Sequence, residues 1–264
     1  IKLPDSVPEM VSESLSSLLA GVIIAIVFLI FRALFAVTPY GNATDCIYTI
    51  IQTPLQSLTG NLPAFIIIIL IAQLLWFFGI HGSMTVLPIL FPIWLSYIGD
   101  NTAAMAAGKT IPHVLNIGLW DLANLGGSGA TIGLVILMFF KAKSNQYKSF
   151  GKLTLPCGIF SVNEPVIFGL PVILNPIMLI PFIICPIVLV CLGYALIQFG
   201  IVTAPIGILG LGSMPPLISG IMQGSLSWGI YQLVAVVISI IIYYPFFKTI
   251  DNQALAKEKG EQGE

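Results

Sequence analysis

Apolar residues run along this chain in blocks too long for a soluble core, and proline, glycine or a few polar residues break the blocks at definite places. The first block, Leu18 to Val37, LLAGVIIAIVFLIFRALFAV, has the roughly 20 residues a helix needs to cross about 30 Å of hydrocarbon. Arg32 interrupts it near its end, where a long cationic side chain snorkels to the interface. Further crossings are predicted near Leu62 to Phe78, Thr131 to Phe140 with flanking residues, Ile177 to Gln198 and Trp228 to Phe247. Between the first two blocks, NATDCIYTIIQTPLQSL mixes Ile47, Ile50, Ile51, Leu55 and Leu58 with polar residues at near-helical spacing. That pattern predicts an amphipathic linker helix over 43–60, lying along the membrane interface.

Other apolar stretches are broken. MTVLPILFPIWLSYIG carries Pro88 and Pro92, which allow a re-entrant hairpin arm as an alternative to a full crossing. DNTAAMAAGKTIPHVLNIGLWDLANLGGSGAT is comparatively polar and Gly-rich, as expected of a loop or short helix lining a wet cavity, and its His113 and Asp121 are expected to face water. Pro156, Pro165, Pro171 and Pro176 are too many for one straight helix, so a first re-entrant hairpin is predicted around Asn163. A second is predicted around Pro215, in LGSMPPLISGIMQGSL. Lys141, Lys143, Lys148 and Lys152 form a short basic loop that the positive-inside rule assigns to the cytoplasm, and the charged tail 248–264 goes to the same side.

Composition agrees. Of 264 residues 57% are hydrophobic and 8% charged, and a mean hydropathy of +1.02 excludes a soluble globular domain. A net charge of −1 provides no basic field for nucleic acid, which is not expected as a partner. The four cysteines lack metal-site or redox-pair spacing and are expected to be packing residues; no metal or cofactor is predicted. The opening IKLPDSVPEMVSESL is too polar and acidic for a signal peptide, and the chain reads as a fragment.

In so apolar a chain the informative residues are the buried polar ones. An ionised carboxylate at mid-membrane depth costs at least about 2.5–3.5 kcal/mol, so Glu164 requires a partner, a proton or a wet cavity. Asn163 beside it offers two donors and an acceptor, and Pro165 leaves a backbone carbonyl free to face a ligand. Two further polar places stand at apolar breaks: WFFGIHG, with Trp76 and His81, and NLGGSG, with Asn124. Carboxylates and amides that bind hydroxyls, beside an aromatic face for stacking, suit a sugar. Taken singly, Trp76 fits an interfacial belt, His81 a bond between helices and Asn124 an ordinary turn.

With VNEPVIFGLPVILNPIMLIPF, FFGIHG and NLGGSGAT in this order, the sequence resembles the membrane component, enzyme IIC, of phosphotransferase-system sugar permeases in the lactose, cellobiose and diacetylchitobiose branch. The resemblance implies an all-α polytopic protein of the bacterial plasma membrane. It would have two re-entrant hairpins and carry a disaccharide inward while phosphorylated IIB transfers phosphate from a phosphocysteine. It further implies that residues 1–42 end an N-terminal half that forms a homodimer interface, mostly absent here, and that 61–247 form the substrate-binding transport domain. His81 and Glu164 would lie beside the accepting hydroxyl, with either of them as the base, while Trp76, Asn124 and Asn163 hold the ring. Membrane lipid is the remaining partner. One departure is Gly212-Ser213, where relatives commonly carry Trp-Thr. An ion- or proton-coupled transporter, with Glu164 titrating during the cycle, is the alternative.

Overall fold

The computed structural model describes residues 9–43, 45–46, 60–170 and 172–261, and among these every regular element is helical. Contacts divide the chain into two compact units, Ile1–Gln56 and Ser57–Glu264. In the first, α1 (Glu9–Ala36) contains the predicted crossing and extends it toward the N-terminus. Its apolar side chains are exposed on every side, from Val22 through Phe28 to Leu34, the character of a helix meant for lipid or for neighbouring helices. Most of the predicted linker helix lies outside the described residues.

The second unit carries α2 (Leu62–Phe77), α3 (Gly82–Ala106), α4 (Ile117–Ala123), α5 (Ile132–Lys141), α6 (Asn145–Ile159), α7 (Glu164–Gly169) and α8 (Pro176–Gln198). A single 3-10 turn (Leu211–Ser213), α9 (Ile218–Met222) and α10 (Leu226–Glu261) complete it. Polar residues cap the helix starts. Asn61, Asn116, Ser144 and Asn175 accept from the first free N–H groups of α2, α4, α6 and α8. Such caps matter most where no water can satisfy those donors.

Among the described residues three helices, α3, α8 and α10, are long and apolar enough to cross a membrane. Pro88 and Pro92 do not break α3, which is one continuous helix of 25 residues, long enough for the full crossing that the sequence left open. The prolines stand four apart, so the backbone bonds they remove fall on one side of the helix, and the rest of its ladder holds. The expected crossing at Thr131 to Phe140 is narrowed. The ten residues of α5 reach only about 15 Å, half the hydrocarbon thickness.

The chain before α5 is irregular backbone, residues 124–131, packed against α10. Ser239 Oγ donates to Ala130 O (2.7 Å) and accepts from Gly133 N (3.0 Å), and Tyr243 OH donates to Gly129 O (2.7 Å). Buried side chains thus replace the helix ladder, which is how non-helical backbone persists away from water. The second broken stretch is held the same way. Gly207 N and Ile208 N donate to Gln223 Oε1 (both 2.9 Å), Gln223 Nε2 donates to Ile208 O (3.0 Å), and Leu217 N donates to Gln232 Oε1 (3.1 Å). Phe65, Trp94 and Trp120 knit α2, α3 and α4 together, with ring centroids 5.9–6.4 Å apart.

Candidate functional site

The site is built where helices stop. α2 ends at Phe77, and Gly79 at φ 83° turns the chain into His81, the N-cap of α3. His81 Nδ1 accepts from Met84 N (3.1 Å), so the neutral ring carries its proton on Nε2. That Nε2 lies 3.8 Å from Glu164 Oε1, and the two side chains are 38% and 49% exposed. They face each other across a gap too long for a direct hydrogen bond. The second glycine of GIHG has a steric cause: a Cβ on Gly82 would coincide with the Ala72 carbonyl where α3 starts against α2.

Trp76 lies against this pair. Its ring centroid is 4.1 Å from that of His81 and 6.3 Å from that of Phe168 on α7. The indole is buried, and its Nε1 has no hydrogen-bond partner. Trp76 therefore sets the plane of the imidazole, while its N–H is uncommitted.

Glu164 opens α7, and its position follows from Asn163. Both N–H donors of the buried Asn163 amide are committed, to Ser128 O (2.7 Å) and Thr131 Oγ1 (2.9 Å). The NLGGSGAT loop and the start of α7 are tied together by one side chain. Gly127, at φ 99°, must lack a Cβ because Asn163 occupies that space. Asn124 lies one bond further along the network. Its Oδ1 accepts from Ser128 Oγ (3.0 Å) and Ser83 Oγ (3.3 Å), and its Nδ2 donates to Trp120 O (3.2 Å).

The five predicted residues thus divide. Trp76, His81 and Glu164 form one contiguous group, and Asn163 and Asn124 belong to the hydrogen-bonded frame beneath it. Ser83, Ser128 and Thr131, absent from the sequence reading, are the links; small hydroxyl residues at a Gly-rich break were the available signal. Asp121 corrects an expectation. It does not face water but is buried, with Oδ2 lacking any hydrogen-bond partner. His113 stays partly exposed, stacked on Tyr97 at 4.0 Å and 2.9 Å from Asp100 Oδ2.

Long apolar helices around a cluster of polar side chains at helix breaks define an integral membrane protein. A family model described as "Phosphotransferase system, EIIC" matches residues 1–186, and the chain belongs to that family. It is 39% identical over 260 residues to the lichenan permease IIC component of Bacillus subtilis, covering 97% of this chain and 58% of that protein. It is 36% identical over 199 residues to the lactose-specific EIICB component of Lacticaseibacillus casei, covering 71% of this chain and 33% of that protein. The solved structure of ChbC, the IIC component from the N,N'-diacetylchitobiose-specific phosphotransferase system, matches with a TM-score of 0.76 at 39% identity. That match covers 98% of this chain and 61% of the other. The chain spans about three fifths of the length of the lichenan permease and of ChbC.

Proposed function

We propose that this chain forms the sugar-handling part of a phosphotransferase-system permease, which carries a disaccharide of the cellobiose, lactose or diacetylchitobiose type inward while phosphorylated IIB phosphorylates it. The observation that carries the reading is the His81–Glu164 pair, held 3.8 Å apart and half exposed at a break between helices. A sugar hydroxyl seated in that gap accepts a hydrogen bond from His81 Nε2–H and donates one to Glu164. The tautomer set by Met84 N makes His81 the donor, which favours Glu164 as the base. In the transfer step the hydroxyl oxygen bonds to the phosphorus of the IIB phosphocysteine, the S–P bond breaks, sulfur leaves as thiolate, and the hydroxyl proton passes to Glu164. Such chemistry asks mainly for in-line positioning and a proton acceptor.

Trp76, buried against His81, acts on the sugar ring by fixing the imidazole that meets it, and Asn124 and Asn163 keep Ser83 and Glu164 in register. Residues 61–247 act as the transport domain, with re-entrant hairpins around Asn163 and Pro215. Residues 1–42 belong to an N-terminal half that dimerises. The fusion named in the EIICB relative supports IIB as the partner.

The test is uptake of labelled disaccharides into vesicles containing the full-length protein, with and without phosphorylated IIB. Sugar arriving as its phosphate, only when phosphorylated IIB is present, is the expected result. Unmodified sugar arriving in step with a proton gradient would overturn it.

A further inference from the structure

A cavity of about 220 Å³ is lined by Ser83, two residues after His81, and by Asn124, Ser161, Trp120, Asp121 and the turn at Gly210–Ser213. It is smaller than the ~300 Å³ at which pockets for drug-sized ligands begin, so it suits one pyranose ring rather than a whole disaccharide. Its other buried or half-buried polar side chains are already engaged. Asn124 Oδ1 accepts from Ser128 Oγ (3.0 Å), Ser83 Oγ bonds to Ser128 Oγ (2.9 Å), and Ser161 Oγ accepts from Gly126 N (3.2 Å). Asp121 differs: its side chain is buried and its Oδ2 has no partner.

A carboxyl kept in such a place without a hydrogen bond is destabilising, so a purely structural origin leaves it unexplained. The chain also accommodates it from the other side. A Cβ at Gly212 would fall on Asp121 Oδ1, so glycine at 212 leaves the carboxyl its space. Asp121 on α4 stands three residues before Asn124, the residue that caps the end of that helix, and both line this cavity.

We propose that Asp121 is a further sugar-binding residue, hydrogen-bonding a hydroxyl of the pyranose ring that lies farther from the phosphorylated position. The assignment rests on the proposed function and gives it a specificity determinant. Whatever ring enters this cavity must carry a hydroxyl where the carboxyl lies; an analogue lacking that hydroxyl leaves a buried group unpaired and is rejected.

The experiment measures equilibrium binding of the parent disaccharide, and of analogues lacking one hydroxyl at a time, to the detergent-solubilised full-length protein and to its Asp121→Ala and Asp121→Asn variants. Sugar-free thermal unfolding checks folding of each, and Asp121→Asn, which keeps the shape, carries the test if Asp121→Ala fails to fold. The expected result is roughly a tenfold or greater loss of affinity for the intact sugar in the variants. For one deoxy analogue in particular, the variants should lose nothing further relative to the unsubstituted protein. If every analogue loses the same factor in variant and unsubstituted protein, Asp121 acts through packing and the inference is overturned, with the proposed function intact. If the unsubstituted protein binds no disaccharide, the proposed function falls and this inference with it.

Discussion

Asp251 and Glu164 are both carboxylates in a chain with few of them, and the structure treats them in opposite ways. Asp251, on α10, is 3% exposed and accepts three hydrogen bonds, from Lys143 N (2.8 Å), Ser144 N (3.1 Å) and Ser144 Oγ (2.7 Å). It closes the turn between α5 and α6, and its charge is answered within the fold. Glu164 is 49% exposed and faces His81 at a distance beyond a hydrogen bond. A satisfied carboxylate holds elements together. One left open at a helix break is available to something that arrives from outside, and the proposed role of Glu164 rests on that difference.

The largest expected effect removes the open carboxylate. Glu164→Gln retains shape while losing charge and basicity, so phosphorylating uptake should fall by roughly 10²–10⁴, and sugar binding should weaken by about 1.5–3 kcal/mol. Unfolding temperature should hardly move. Transport equal to that of the unsubstituted protein would make Glu164 another Asp251.

Asp251→Ala should show the reverse profile. Two backbone N–H groups and a hydroxyl lose their acceptor, each at a cost of about 1–3 kcal/mol where water cannot replace it. A lowered melting temperature, with uptake per folded molecule preserved, is the expected outcome; an unshifted melt would break the contrast from the structural side.

Trp76→Phe tests the ring beside the open pair. It keeps an aromatic against His81 but shrinks the ring that supports the imidazole, and affinity for the sugar should drop by less than the roughly 0.5–1.5 kcal/mol that an aromatic pair contributes. Unchanged affinity in a binding titration would reduce Trp76 to a packing residue.

The smallest effect is expected at the charged end of α10. Glu258 accepts from Asn145 N (3.0 Å) and Gln146 N (2.9 Å), which lowers its pKa. A carboxylate whose folded value is depressed adds stability above its unfolded value and loses it as pH falls through the folded one. Glu258→Gln should therefore lower the melting temperature slightly at neutral pH and leave it unchanged in acid. An equal difference at both pH values would show that the charge plays no part.

Hydrophobic block length alone determined that this is a polytopic helical membrane protein, because only long apolar segments can satisfy their backbone inside a bilayer, and it located α1, α2, α8 and α10. The high cost of a charge in that setting pointed to Glu164, and helix-breaking residues pointed to the neighbourhoods of His81 and Asn124. Proline is an ambiguous signal. Pro88 and Pro92 allowed a broken arm, yet α3 runs through both, because neighbouring helices decide whether a lost backbone bond can be tolerated. The Gly-rich segment 124–131 gave no hint that Ser239 and Tyr243, more than a hundred residues later, satisfy its carbonyls. Nor did the residues around Asp121 reveal its burial, since polar neighbours such as Asn124 turn toward one another rather than toward water. Periodicity and transfer cost act locally and are legible along the chain. Which buried polar groups find partners depends on contacts between distant segments, and only the tertiary structure decides it.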